Sequence, residues 1–122
     1  MQKYIFRIVY PSDWAVALET GSVPQSTLDR EDGFVHLSTK DTVLETANLY
    51  FDAEKTPLVL KLDAHSFGDS LRWEWVESRG ASFPHLYGTI DVQSVVAIVA
   101  LLYQEGSFFW GEEKKKSAWA SG

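Results

Sequence analysis

The sequence predicts a single α+β domain with a mixed or antiparallel sheet. Three observations lead there. Segments with apolar patterning run in the order β-α-β-α-β-β-β, helices early and strands late. No glycine-rich phosphate loop follows the first strand, which disfavours a dinucleotide-binding βαβ unit. The length of 122 residues, 45% hydrophobic and 14% aromatic, suits one well-packed core and is too apolar for a disordered chain.

Tyr4 to Tyr10 is dense in β-branched and aromatic residues and reads as the first strand. Pro11-Ser12-Asp13 opens a helix, with Ser12 or Asp13 placed to cap free backbone N–H groups. Trp14, Ala17 and Leu18 recur at helical spacing, and the helix is expected to end near Gly21. Residues 22–32 carry Pro24, Ser26, Thr27 and the charged run Asp29-Arg30-Glu31-Asp32. They read as an exposed loop, either a solvated connection or a lid. Gly33 turns the chain into a strand at Phe34–Ser38.

Thr39 is the expected N-cap of a helix reaching Phe51, with Val43, Ala47 and Tyr50 on one face. Asp52–Thr56 reads as a turn, Leu58–Leu62 as an apolar strand, and Asp63–Ser70 as a polar loop holding His65 at the surface. Leu71–Glu77 alternates with period two. Glu77–Ser82 is a loop, and Phe83–Gly88 is extended. Asp91–Ser94 is expected to form a helical turn before a last buried strand, Val95–Tyr103. The domain is therefore expected over residues 1–104. Residues 105–122 form a tail docked by Phe108, Phe109 and Trp110, with a mobile charged end.

The net charge of −6 lacks the basic footprint that attracts phosphate backbones, so no large nucleic acid is expected as a partner. The absence of cysteine removes disulfides, thiolate zinc sites and cysteine nucleophiles. The N-terminus reads as a strand, not a signal peptide, and the longest apolar run, Val95 to Leu102, is too short to cross a bilayer. A cytoplasmic protein without a membrane partner is expected.

The three histidines carry the functional signal. His36 lies in Asp32-Gly33-Phe34-Val35-His36-Leu37-Ser38-Thr39, and His85 lies in Phe83-Pro84-His85-Leu86-Tyr87-Gly88. Between them stands Leu71-Arg72-Trp73-Glu74. Strand alternation puts His36 and Ser38 on one face, about 7 Å apart, with Val35 and Leu37 on the other. His85 and Tyr87 share a face, as do Arg72, Glu74 and Val76. Trp73 and Trp75 lie opposite and are expected in the packing. Each polar residue also has a structural reading. His36 can be a satisfied core histidine, His85 can brace a turn, and Glu74 can pair with Arg72 or Lys61. Tyr87 can simply pack, and Ser38 can cap the following helix.

Three chemistries fit the set. His36, His85 and Glu74 resemble a catalytic zinc arrangement, so a metal-dependent hydrolase is one reading, although no paired-histidine spacing supports it and no metal is expected. Ser38 with a histidine and Glu74 is a conceivable nucleophilic triad, without the strained turn such serines occupy. The third is nucleotide recognition. Histidine and serine bond ribose hydroxyls, tyrosine stacks on a base, and glutamate accepts from a sugar hydroxyl.

On these phrases, together with Ala47-Asn48-Leu49-Tyr50-Phe51, the opening strand with Asp13-Trp14, and Val95-Val96-Ala97, the chain resembles the mainly bacterial family called domain of unknown function 952. The resemblance covers most of residues 3–103. It implies a fold similar to that of the ADP-ribosyltransferases, a split β-sandwich with two main helices and a cleft for NAD. NAD or an ADP-ribose-like molecule is then the implied ligand or substrate, sensed or consumed. His36 with Ser38 matches the histidine that holds a ribose of NAD. Tyr87 matches the aromatic residue that packs on nicotinamide, and Glu74 the glutamate serving the nicotinamide ribose, although their order along the chain departs from the usual one. Relatives acting on RNA 2′-phosphate use histidines and arginines, parts open to His85 and Arg72. The resemblance thus casts Glu74 and His85 as catalytic and His36, Ser38, Arg72 and Tyr87 as ligand-binding. Where family members mostly carry a histidine in the first strand, this chain has Arg7.

Overall fold

A computed structural model describes the chain from Gln2 to Lys115. Its strands are β1 (Tyr4–Val9), β2 (Ser22–Val23), β3 (Val35–His36), β4 (Leu58–Asp63), β5 (Leu71–Val76), β6 (Ala81–Leu86), β7 (Ile90–Asp91), β8 (Val95–Gln104) and β9 (Ser107–Lys115). Its α-helices are α1 (Pro11–Thr20), α2 (Thr27–Asp32) and α3 (Val43–Tyr50). Short 3-10 turns occupy Ala53–Lys55, Ala64–Ser70 and Val92–Ser94. All strand pairs are antiparallel. They form a four-stranded sheet β1-β4-β8-β9, a three-stranded sheet β3-β6-β5 and a ribbon β2-β7.

The four-stranded sheet is buried on both faces. One face gives Ile5, Val9, Leu60, Leu62 and Val95 to a core shared with Trp14 and Ala17 of α1 and with Val35, Leu37 and Leu86 of the smaller sheet. The other gives Phe6, Ile8, Val59 and Val99 to a second core closed by Val43 and Ala47 of α3. Burial on both faces explains why β1, β4 and β8 read as near-continuous apolar runs. Every second side chain has a core to enter on either side.

Several expectations need correction. Residues 22–32 are not an open loop. Ser22–Val23 pairs with β7, and Ser26 caps α2 by accepting from the Asp29 backbone N–H, while the Asp29 carboxylate accepts from the Ser26 N–H. Asp29, read as part of a solvated charge run, is only 1% exposed. The strand expected over Phe34–Ser38 is regular only at Val35–His36. Ser38 instead bridges to Phe6 of β1 through two backbone hydrogen bonds. Helix α3 starts after Thr42, not Thr39, and ends before Phe51.

Trp73 and Trp75 are 43% and 62% exposed, because β5 is an edge strand and the core beneath it stops at Leu71. The strand β8 is not the last. Beyond Gln104 the chain turns at Glu105-Gly106 and returns as β9, so the sheet continues to Lys115. The segment expected as a docked tail is an edge strand, with Phe108 in the core. Its charged residues Glu112 to Lys115 are strand residues, and the rest of the expected mobile end lies outside the described residues.

Candidate functional site

His36 is fixed by a buried charge cluster. Arg7, on edge strand β1, grips Asp29 through both terminal guanidinium nitrogens and also donates to the His36 carbonyl at 2.8 Å. Asp29 Oδ1 accepts from the His36 backbone N–H at 3.1 Å and from its Nδ1 at 2.7 Å. Nε2 of the same ring meets Asp32 Oδ2 at 2.8 Å. Ionised carboxylates only accept, so the geometry favours the imidazolium form of His36, in which both ring nitrogens donate. Burial opposes that charge, but the hydrogen bonds from His36 to Asp29 and Asp32 raise its pKa above the ordinary value. Burial would push the Asp29 carboxyl up. The hydrogen bond from His36, the Arg7 charge and the Ser26 N–H overcome it and hold Asp29 well below the usual carboxylate range.

His85 is held differently. It pairs with His36 across β3 and β6 and with Arg72 across β5 and β6, so all three side chains leave the same face of the small sheet. Its Nδ1 lies 2.8 Å from Glu74 Oε1, and the Tyr87 hydroxyl donates to that same oxygen at 2.7 Å. These two hydrogen bonds, Tyr87 first, lower the Glu74 pKa. The Glu74 carboxylate pulls the proton of Tyr87 tighter in turn. With Nδ1 donating to Glu74, Nε2 of His85 has no partner among the described residues. Phe34 stacks on the His85 ring at 4.0 Å and also touches His36 and Tyr87. Arg72 lies 4.7 Å over the Tyr87 ring.

A cleft of about 570 Å³ opens between this face, α2 and α3. His36, His85 and Ser38 line it, joined by Arg7, Thr46 and Arg79. Arg79, from the β5–β6 turn, lies over the Phe83 ring and bonds Glu45 and Thr46 of α3. Ser38 is buried, with its Oγ 3.5 Å from the Thr46 hydroxyl. Glu74, Tyr87 and Arg72 do not line the cleft. They stand behind His85, and Tyr87 and Arg72 are exposed. Ser38 has neither histidine as a hydrogen-bond partner, so the arrangement lends no support to a serine nucleophile. Among the described residues no three His, Asp or Glu side chains are placed to hold a metal ion, and the Nδ1 atoms of both histidines already face carboxylates. His65 is exposed, as expected.

Residues 8–98 match the family described as Protein of unknown function (DUF952). The chain belongs to this family. It is similar to protein CC0527 of Caulobacter crescentus, whose crystal structure superposes with a TM-score of 0.80 at 32% identity, covering 87% of this chain and 93% of that one. The solution NMR structure of the same protein gives a TM-score of 0.74, covering 87% and 91%. No curated protein matches the chain.

In this member of the family the sequence signal named the histidines and Glu74 but missed their surroundings. Asp29 was legible in principle, because Ser26-x-x-Asp29 before a short helix is a capping-box pattern. Asp32 stands four residues before His36 in the same phrase, and the end of α2 brings it onto the ring. Arg79 had no local signal and enters the site only because the β5–β6 turn folds over it.

Proposed function

We propose that the cleft binds a nucleotide-like ligand of the NAD or ADP-ribose class, on a fold related to the ADP-ribosyltransferases, and that the protein acts in the cytoplasm as a sensor of that ligand. The observation that carries this reading is His85. Glu74, itself held by Tyr87, fixes the ring at Nδ1, Nε2 has no partner among the described residues, and the residue lines a cleft that also holds Arg7 and Arg79. The cleft's volume falls in the range of small-molecule sites, and its mixture of aromatic, hydroxyl and cationic groups suits a sugar phosphate bearing a flat ring. The Nε N–H of Arg7 is buried without a partner among the described residues, a donor that an acceptor brought by ligand or water would satisfy.

His36 joins the ligand only if Asp32 releases its Nε2. Asp32 is the most exposed member of the cluster, ahead of His36 and far ahead of the buried Asp29, so a ribose hydroxyl or phosphate oxygen can replace it there. Glu74 acts through His85, as a positioning residue, instead of meeting the sugar itself. This separation favours binding over turnover, because the carboxylate implied to serve the nicotinamide ribose stands outside the cleft.

Titration calorimetry with NAD and with ADP-ribose, run beside a nicotinamide-release assay, tests the reading. Saturable binding is expected, weakened about tenfold or more by His85→Asn, with little nicotinamide released. Glu74→Gln should weaken binding less, because Glu74 acts only by holding the His85 ring. Robust release that falls about a hundredfold in Glu74→Gln would replace the sensor by an enzyme. No binding of either compound would remove this ligand class.

A further inference from the structure

A second hollow, of about 430 Å³, lies on the far side of the four-stranded sheet, on the same face as α3. Helix α3 covers only part of that face. The rest is a shallow basin to which each strand gives a side chain: Tyr4 and Phe6 from β1, Lys61 from β4, Val99 from β8, and Trp110 from β9. A bulge completes it. Val99 pairs with Glu113 and Leu101 with Trp110, so β9 carries one extra residue opposite Ala100. Trp110 and Glu113, three apart, would leave opposite faces of a regular strand. The bulge brings both to the basin. Gly111 sits at the extra position because a Cβ there would lie 2.8 Å from the Ala100 carbonyl oxygen.

The charge of the basin is opposite to that of the chain. Lys3, Lys40 and Lys61 surround it against the single carboxylate of Glu113, on a protein of net charge −6. Lys61 Nζ lies 4.4 Å over the Tyr4 ring, Lys3 Nζ 5.4 Å from the same ring, and Glu113 reaches Lys61 only loosely, at 3.6 Å. Phe6 and Trp110 meet edge to face at 5.9 Å, which leaves aromatic surface bordering the hollow. Aromatic walls with ammonium groups above them suit a flat ring bearing a negative group. The ring stacks, and the anion replaces Glu113 among the lysines.

We propose that this basin is a second ligand site, specific for a small aromatic anion, separate from the histidine cleft. The test is a titration of the ¹⁵N-labelled 122-residue chain, followed by NMR, with phenyl phosphate, inorganic phosphate and benzyl alcohol. Phenyl phosphate is expected to shift the resonances of Tyr4, Lys61 and the Trp110 indole. The double variant Lys40→Gln/Lys61→Gln should weaken its binding about tenfold or more while keeping a dispersed, folded spectrum. His85→Asn should leave it unchanged. Absence of shifts at these residues up to about 10 mM ligand, weaker than any specific site of this kind, would overturn the proposal. So would shifts confined to the His85 cleft. Equal affinity for inorganic phosphate would reduce the basin to a charge patch, and equal affinity for benzyl alcohol would reduce it to an apolar one. Either result rejects an aromatic-anion site.

Discussion

Asp29 and His36 show how a charge is kept inside this protein. Asp29 is inaccessible to water, yet it stays ionised because Arg7, the His36 ring and the backbone N–H groups of Ser26 and His36 all donate to it. The pair makes stability depend on pH from both sides. The His36 pKa is raised on folding, so its contribution is complete below the unfolded value of 6.5 and is lost as pH climbs through the folded value. The Asp29 pKa is lowered, so its contribution is present above the unfolded value of 3.8 and is lost as pH falls below it. The melting temperature should therefore plateau between about pH 4 and 6.5 and decline on either side. In His36→Gln the plateau should be lower and the decline above about pH 6.5 should flatten. An alkaline decline of unchanged slope in that variant would assign it to another group.

At the scale of elements, the site depends on short pieces. Two residues of β3 pair His36 with His85, and six residues of α2 bring Asp29 and Asp32 to His36. That His36 and His85 leave the same face as Arg72 and Glu74 was decided by strand pairing. That Arg72 and Glu74 share a face was legible, because alternation fixes direction along any strand. Which face was buried was not. Alternation sorts Trp73 and Trp75 from Glu74 but does not say that the core ends beneath Leu71. On the sequence alone, Trp75→Ala is expected to cost about 3–5 kcal/mol, the loss for a fully buried ring. With Trp75 exposed and its indole N–H bonded only to Glu77, the expected loss is about 1 kcal/mol or less. Urea denaturation of Trp75→Ala measures the difference, and a loss near 3 kcal/mol or above would mean that this face is covered in solution.

For the whole molecule, the decisive element is β9. It hides the outer edge of β8, a long apolar strand, and puts Phe108 into the core under α3. A chain ended at Gln104 would expose that edge and leave Val99 without its neighbour. Unpaired apolar edges associate. Such a chain should aggregate or lose its melting transition, as gel filtration and a thermal scan would show. A monomeric, cooperatively melting fragment 1–104 would instead restore the domain boundary read from the sequence.

The amino-acid sequence by itself determined the α+β class, most strands and the two longer helices, the family, and the residues with chemistry to offer. These follow from local periodicity, turn residues and short phrases, which act over a few neighbours. Tertiary structure decided which of those residues meet. Asp29 reaches Arg7 across 22 positions, and Arg79 reaches Glu45 across 34. It also decided that Glu74 stands behind His85, outside the cleft, and that Ser107–Lys115 of the expected tail is a strand. Strand order and burial decide such encounters, and a chain read one neighbourhood at a time holds no record of either.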